Sequence, residues 1–201
     1  MSVVCLIPAR GGSQRIPDKN IRPFLGKPII SYSIENAWES KLFDDVVVST
    51  DSDKIAEVAK EYGASVFRRS REMSDNNVGT QEVAEDFLHF ANPNIDVLCV
   101  LYATAPLLSI EDLTLAHEMV VNCNRDYSFA VGLRPALHDA GQFYFGWADN
   151  FITTETFGVL PLIGTNTAMI PIADNRDCDI NVEADWELAE EMFKQLRSRN
   201  E

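Results

Sequence analysis

The sequence has 201 residues, 46% apolar and 24% charged, with 17 Lys and Arg against 31 Asp and Glu for a net charge of −14. That length suits one domain, residues 1–201, with a sizeable core, in the proportions of an ordinary soluble globular chain. The acidic balance argues against nucleic acid as a partner, because phosphate backbones require a basic surface. The opening apolar run, Val3 to Ile7, is too short to cross a bilayer and has no basic segment before it, so a cytoplasmic protein without membrane contact is expected.

In chain order, Val3 to Ile7 ends in Pro8 and has the continuous apolar character of a buried strand. Gly11, Gly12 and Pro17 forbid regular structure until about Pro28. From Pro28 to Lys41, Ile30, Ile34, Ala37 and Trp38 fall at helical spacing. Asp45 to Thr50 is a β-branched strand. Asp51 and Asp53 precede an amphipathic helix that Gly63 stops. A short strand, Ser65 to Phe67, is followed by a helix over Thr80 to Ala91 and the most apolar strand, Val97 to Ala103. Ser109 caps the next helix, with Asp112 three residues on. Tyr127 to Leu133, Gly141 to Trp147 and Thr167 to Ile172 read as strands, and Glu183 to Arg197 as the last helix.

Strands separated by helices imply right-handed crossovers and a mostly parallel sheet, an α/β fold whose ligands sit beyond the carboxyl ends of the strands. Cys5, Cys99, Cys123 and Cys178 form no CxxC pair and match no zinc spacing; buried, reduced thiols are expected for Cys5 and Cys99.

The loop after the first strand, Ala9-Arg10-Gly11-Gly12-Ser13-Gln14-Arg15-Ile16-Pro17-Asp18-Lys19-Asn20, concentrates glycine and positive charge, which Arg22 and Lys27 extend. Glycines let backbone N–H groups approach a ligand while cations neutralise phosphate. It is neither a GxGxxG fingerprint nor a Walker-A loop. Its residues alone leave open an anion site and a glycine-rich turn with solvated charges.

The run Ile7 to Ser13, with Arg15-Ile16-Pro17 and Lys19-Asn20, closely resembles the signature of CMP-sugar synthetases, the acylneuraminate cytidylyltransferases. Gly26-Lys27-Pro28, Ser49-Thr50-Asp51, Arg69 to Asp75, Tyr102 to Pro106, and Asp179-Ile180-Asn181 before Asp185-Trp186 match that family in order. Tyr102 and Asp139 to Tyr144 look most like the pseudaminic acid branch. The resemblance implies a Rossmann-like, GT-A-like nucleotidyltransferase sandwich that transfers CMP from CTP to a nine-carbon sugar acid.

By the same resemblance, Arg10, Ser13 and Lys19 would hold the triphosphate with the backbone of Ala9, Gly11 and Gly12. Asn20 would help hold the nucleoside, and Arg69, or Arg68 with a slip of one residue, the cytosine or ribose. Thr80, Tyr102 and Thr104 would line the cleft between nucleotide and sugar, Thr80 as a nucleotide-binding residue and Tyr102 and Thr104 on the sugar; Gln142 and Tyr144 would face the cleft and touch the sugar. Thr50 and Asp51 would shape the loop and cap a helix. Mg²⁺ would sit at Asp179 and Asn181, where the family usually has Asp-x-Asp, with Asp177 as a compensating carboxylate; the alternative for Asp179 is a cap on the last helix. Arg10, Lys19 and Asp179 are the expected catalytic residues.

Three departures from the family pattern stand out. Gln14 replaces a common lysine, and Asn181 replaces the second aspartate. Tyr127 to Leu133 passes directly into Arg134 to His138, where the family carries an insertion that swaps across a dimer. A monomer, or a dimer through an unfamiliar surface, is therefore expected, with a more open sugar site. The alternatives are the same chemistry on N-acetylneuraminate, legionaminate or 3-deoxy-octulosonate, and a nucleotide-binding protein with little transferase activity.

Overall fold

The computed structural model of the protein describes residues 1–90, 94–152 and 166–198. Among them, one sheet is built from β1 (Val3–Pro8), β2 (Asp45–Thr50), β3 (Ser65–Arg68), β4 (Val97–Leu101), β5 (Tyr127–Gly132), β6 (His138–Trp147) and β7 (Thr167–Pro171). Their spatial order is β3-β2-β1-β4-β6-β5-β7. Every pairing is parallel except those of β6, which runs antiparallel to both β4 and β5. Only Leu133 to Leu137 join β5 to β6, too little chain for a crossover, so the two form a hairpin.

The helices are α1 (Ile29–Ser40), α2 (Asp53–Glu61), α3 (Thr80–Phe90), α4 (Ile110–Val121), the single turn α5 (Ala148–Phe151) and α6 (Glu183–Ser198). Alternation along β1 assigns the two faces. Val3, Cys5 and Ile7 pack with Ile30, Ile34, Ile55, Leu113 and Ala116 of α1, α2 and α4. Val4 and Leu6 pack with Ala84, Phe87 and Leu88 of α3 and Phe151 of α5. A strand covered on both faces must be apolar at every position, which accounts for the unbroken run Val3 to Ile7. Each such side chain removed from water contributes about 1.5–3 kcal/mol. Cys5 and Cys99 are buried free thiols, paired across β1 and β4.

A third cluster lies beneath the first loop. Ile16, Phe24, Tyr32 and Ile180 close around Trp186 of α6, with edge-to-face ring pairs at 5.5 Å (Phe24–Tyr32) and 5.6 Å (Phe24–Trp186). The fully buried Ile16 side chain pins the middle of the loop, between neighbours, Arg15 and Pro17, that are exposed.

Several local expectations need correction. The stretch before Pro28 is not devoid of regular structure: it contains a 3₁₀ turn, Lys19–Ile21, and a tight hairpin pairing Pro23–Phe24 with Lys27–Pro28. Leu25 and Gly26 turn that hairpin with φ of 47° and 103°. Ser52, not Asp51, caps α2 by accepting from the Ile55 N–H at 3.4 Å. Ser109 caps α4 as expected, but the Asp112 carboxylate pairs with Arg176 rather than folding back. β6 begins at His138, ahead of Gly141. Ala91, the expected end of α3, lies outside the described residues. No described helix is long and apolar enough to cross a membrane.

Candidate active site

A cleft of about 520 Å³ opens at the carboxyl ends of β1 and β4. Its first wall is the loop after β1, which contributes Arg10, Ser13, Gln14, Arg15, Lys19 and Asn20. Four contacts fix this loop. The Gly11 N–H donates to Asp51 Oδ1 at 2.8 Å, the Ala9 N–H to the Ser49 carbonyl at 2.9 Å, and Asn20 Nδ2 to the Arg10 carbonyl at 3.0 Å. Lys19 Nζ donates to the Ile180 carbonyl at 2.7 Å. Only glycine fits at Gly11, since a Cβ there would meet Ser52 Cβ at 2.9 Å, while Gly12 has open space above it. Ala9 is buried beneath the loop, so its side chain faces the core. Asp51 thus shapes the loop, and Thr50 accepts from the Ser52 N–H at 3.1 Å.

The early cations divide into two groups. Arg10, Arg15 and Lys19 line the cleft. Arg22 pairs with Glu183 and stacks on Trp186 at 4.5 Å; Lys27 pairs with Glu35 and lies over the Tyr32 ring at 4.1 Å. These last two hold the fold rather than a ligand. Burial pushes the Lys19 ammonium below its ordinary pKa; Asp179 opposes this, and Arg15 and Arg10 reinforce it.

Arg69, at the end of β3, is 9% exposed and lines the cleft. Among the described residues its Nε and Nη2 have no partner, and Nη1 only reaches the Met73 carbonyl at 3.5 Å. Burial lowers its pKa, but a guanidinium remains protonated at neutral pH. A buried charge lacking hydrogen bonds is expensive, so an acceptor brought by a ligand completes it. Arg68 is exposed and pairs with Asp53, which leaves Arg69 as the arginine that reaches the cleft.

Thr80, Tyr102 and Thr104 form a second wall, with Thr80 Oγ1 3.1 Å from Tyr102 Oη. Gln142 and Tyr144, expected to face the cleft, lie behind this wall at 2% and 4% exposure. β6 is an interior strand, and Tyr102 and Phe129 cover Tyr144 with ring centroids at 5.8 and 6.2 Å. Gln142 Nε2 donates to the Arg176 carbonyl at 2.7 Å.

At the mouth, Asn181 Nδ2 donates to Asp179 Oδ2 at 2.5 Å, and both residues line the cleft. The cap of α6 is Asp185, which accepts from the Asn181 and Val182 N–H groups at 2.8 Å each. Asp179 is thereby free of the capping role. Asp177 does not compensate for Asn181: it pairs with His138 Nε2 at 3.1 Å. Backbone contact with Ala136, and then Asp177, holds the His138 imidazole above its ordinary pKa.

Sequence reasoning missed two features of the site. Arg15 joins the cleft cations, and its place in the same charged run was the available signal. Asp139 accepts from the buried Tyr144 hydroxyl at 2.5 Å, a contact with no sequence signal, because it depends on a bulge in β6.

A cytidylyltransferase family profile matches residues 4–138. The chain is 37% identical to the pseudaminic acid cytidylyltransferase of Campylobacter jejuni serotype O:2, over 96% of this chain and 97% of that one. It is 44% identical to the N-acylneuraminate cytidylyltransferase of Oncorhynchus mykiss, over 59% of this chain and 27% of the longer fish protein. In fold it is similar to a CMP:2-keto-3-deoxy-manno-octonic acid synthetase solved with CTP, with a TM-score of 0.80, 16% identity, and coverage of 97% of this chain and 99% of that one. With a cationic loop at the carboxyl ends of a mostly parallel sheet and likeness along nearly its whole length, the chain belongs to the cytidylyltransferase family.

Proposed function

We propose that this protein transfers CMP from CTP to the anomeric hydroxyl of a sialic-acid-like nine-carbon sugar acid, pseudaminic acid foremost. The observation that carries the reading is one cleft that gathers three loop cations, the buried Arg69 with two unsatisfied guanidinium nitrogens, and the carboxylate of Asp179. A nucleoside triphosphate supplies the negative charge these groups lack. Kinship with pseudaminic acid cytidylyltransferases supports the acceptor.

In the reaction, the anomeric oxygen bonds to the α-phosphorus and loses its proton, while the bond from that phosphorus to the bridging oxygen breaks and pyrophosphate departs. Arg10, Ser13 and Lys19 orient the triphosphate and balance its charge, and Arg69 completes its hydrogen bonds on the nucleoside. The Gly11 N–H is taken by Asp51 and the Ala9 N–H by the Ser49 carbonyl, so of the loop amides expected on phosphate the Gly12 N–H is the one left to offer, and Asn20 supports the nucleoside while tying down the Arg10 carbonyl. Thr80, Tyr102 and Thr104 contact the sugar, with Gln142 and Tyr144 behind them.

Mg²⁺ fits the donors present. Among the described residues no group of three His, Cys, Asp or Glu is placed to hold a cation alone, but magnesium is commonly held by one or two carboxylates and substrate phosphates. Asp179 and the Asn181 amide oxygen would hold it, and it would neutralise charge on the phosphates. We place the reaction in the cytoplasm and within a monomer or a dimer of small contact. Only Leu133 to Leu137 project where a swapped arm would start, and the 230 aligned positions exceed this chain's 201 residues.

The test is pyrophosphate release with CTP, Mg²⁺ and pseudaminic, N-acetylneuraminic, legionaminic and 3-deoxy-octulosonic acids. The greatest turnover is expected with pseudaminic acid; preference for another acceptor would reassign the substrate. Gln14 and Asn181 favour a second reading, a nucleotide-binding protein of little activity. CTP binding without release for any acceptor would establish it.

A further inference from the structure

The bulge in β6 produces a hydrogen-bond chain whose direction follows from counting protons. Opposite Ala130, the pairing of β5 with β6 jumps from Phe129↔Tyr144 to Val131↔Asp139. Gly141 turns with φ of 60°, and the bulge carries Asp139 back onto Tyr144. Both carboxylate oxygens are then engaged: Oδ1 accepts from the Gly141 N–H at 2.9 Å and Oδ2 from the Tyr144 hydroxyl at 2.5 Å. Although Asp139 lies at the surface, these two bonds hold it in place.

Each hydroxyl has one proton to give. Tyr144 gives its proton to Asp139, so its oxygen can only accept, and across the long 3.5 Å contact between Tyr144 Oη and Tyr102 Oη the hydroxyl able to donate is that of Tyr102. Tyr102 has then spent its proton, so across the 3.1 Å contact Thr80 Oγ1 is the donor. In that arrangement all three protons point towards Asp139 and away from the cleft. Burial, the neighbouring Tyr102 and Asp139 push the Tyr144 pKa far up, which keeps that first donor protonated.

We infer that Asp139 is a positioning residue which, acting through Tyr144, makes the Thr80–Tyr102 corner an acceptor-only subsite selecting a substrate hydroxyl or amide N–H. This inference rests on the reaction proposed above and assigns its specificity. The cleft is divided by chemistry. The loop wall donates to anions through Arg10, Arg15 and Lys19, while the Thr80–Tyr102 corner offers lone pairs that repel phosphate or carboxylate and welcome a sugar's hydroxyl and acylamino groups. A site whose buried polar atoms demand a donor discriminates strongly against a ligand lacking one.

Asp139→Asn tests the direction of the chain while keeping its shape. The Gly141 N–H can only donate, so the asparagine oxygen turns to it and the NH₂ faces Tyr144, reversing every hydroxyl. The KM for pseudaminic acid should rise about tenfold, as expected for one mispaired buried hydrogen bond, with CTP affinity and melting temperature unchanged. Tyr144→Phe should do the same, and Asp139→Glu should recover part of the loss. In a Tyr102→Phe background, Asp139→Asn should have no further effect, because the residues act as one unit.

An equal KM rise in that background, or a matching loss of CTP affinity, would overturn the inference. Neutron diffraction from perdeuterated protein tests the direction without any acceptor. A Tyr102 deuteron lying towards Tyr144 supports it; one lying towards Thr80 or the cleft refutes it. An enzyme inert with every sugar acid but with the deuterons as described would sink the proposed reaction, not the chain's direction.

Discussion

Arg10 to Asn20 supply one wall of the cleft from a single continuous segment, whereas the other draws Thr80 from α3 and Tyr102 from the end of β4, with Tyr144 and Asp139 of β6 behind them. The first wall is charged and half open to water; the second presents neutral hydroxyls to the cleft, and Tyr144 behind them is almost fully buried. Charge acts over several ångströms and tolerates loose geometry, so one pinned loop is enough to bind phosphate. Hydrogen-bond direction requires fixed partners, so that wall is built on the sheet. The difference predicts that damage to the loop abolishes reaction with any acceptor, while damage to the sheet wall changes which acceptor is used.

The sharpest test is on the loop. Lys19→Ala or Arg10→Ala should lower kcat/KM by about 10²–10³-fold or more, the usual cost of removing one group that stabilises developing charge. Circular dichroism should show the apo fold intact, and CTP should no longer raise the melting temperature. Wild-type CTP affinity in both variants would remove the loop from the site.

Arg69→Met separates stability from function. It replaces a buried charge whose Nε and Nη2 lack partners with an apolar chain of similar length. The apo protein should be as stable or about 1–2 kcal/mol more stable, since uncompensated buried charge is costly. CTP affinity should nevertheless fall at least tenfold by calorimetry. A large loss of apo stability would show that Arg69 is structural.

At the mouth, Asn181→Asp should reduce the Mg²⁺ concentration for half-maximal activity several-fold by adding a charged oxygen donor, while Asp179→Ala should remove turnover with the fold retained. A fully active Asp179→Ala enzyme would dismiss the metal reading.

The mildest effect concerns pH. Burial lowers the Lys19 pKa below the ordinary 10.5 in the free protein, and a bound triphosphate would raise it. Affinity for CTP should therefore be full below the free-state pKa and decline as pH rises through it. Lys19→Arg should flatten that slope, because guanidinium does not titrate in this range. A wild-type profile that is flat up to the ordinary lysine range would contradict the placement of Lys19 against phosphate.

What could be read in advance divides along the same line. The loop was legible because its glycines, cations and Asn20 are contiguous, and the parallel half of the sheet because β1, β2 and β4 are unbroken apolar runs. Gln142 and Tyr144 are buried rather than cleft-facing because alternation along a strand identifies a face without saying what covers it; Phe129 and Tyr102 cover Tyr144, and Gln142 is tied to the Arg176 carbonyl. Arg22 and Lys27 looked the same as Lys19 in sequence, and only the folded position of Trp186, Glu183 and Glu35 separates them. Asp139 stood in a family-like stretch, but its contact with Tyr144 had no signal, since a bulge is a property of two strands together.

The cluster beneath the loop has an optical consequence. Trp186 is sealed against Phe24 and Ile16, with the Arg22 guanidinium on its ring, and both Ile16 and Arg22 stand three residues in sequence from Lys19. Trp38 is more exposed and sits on the outer side of α1, and Trp147 lies at the far end of β6. Indole emission responds to nearby charge and to water, so the protein carries a native fluorophore wired to its nucleotide loop. With Trp38 and Trp147 replaced by phenylalanine, the remaining emission would report each arrival and departure of nucleotide in real time, without a label.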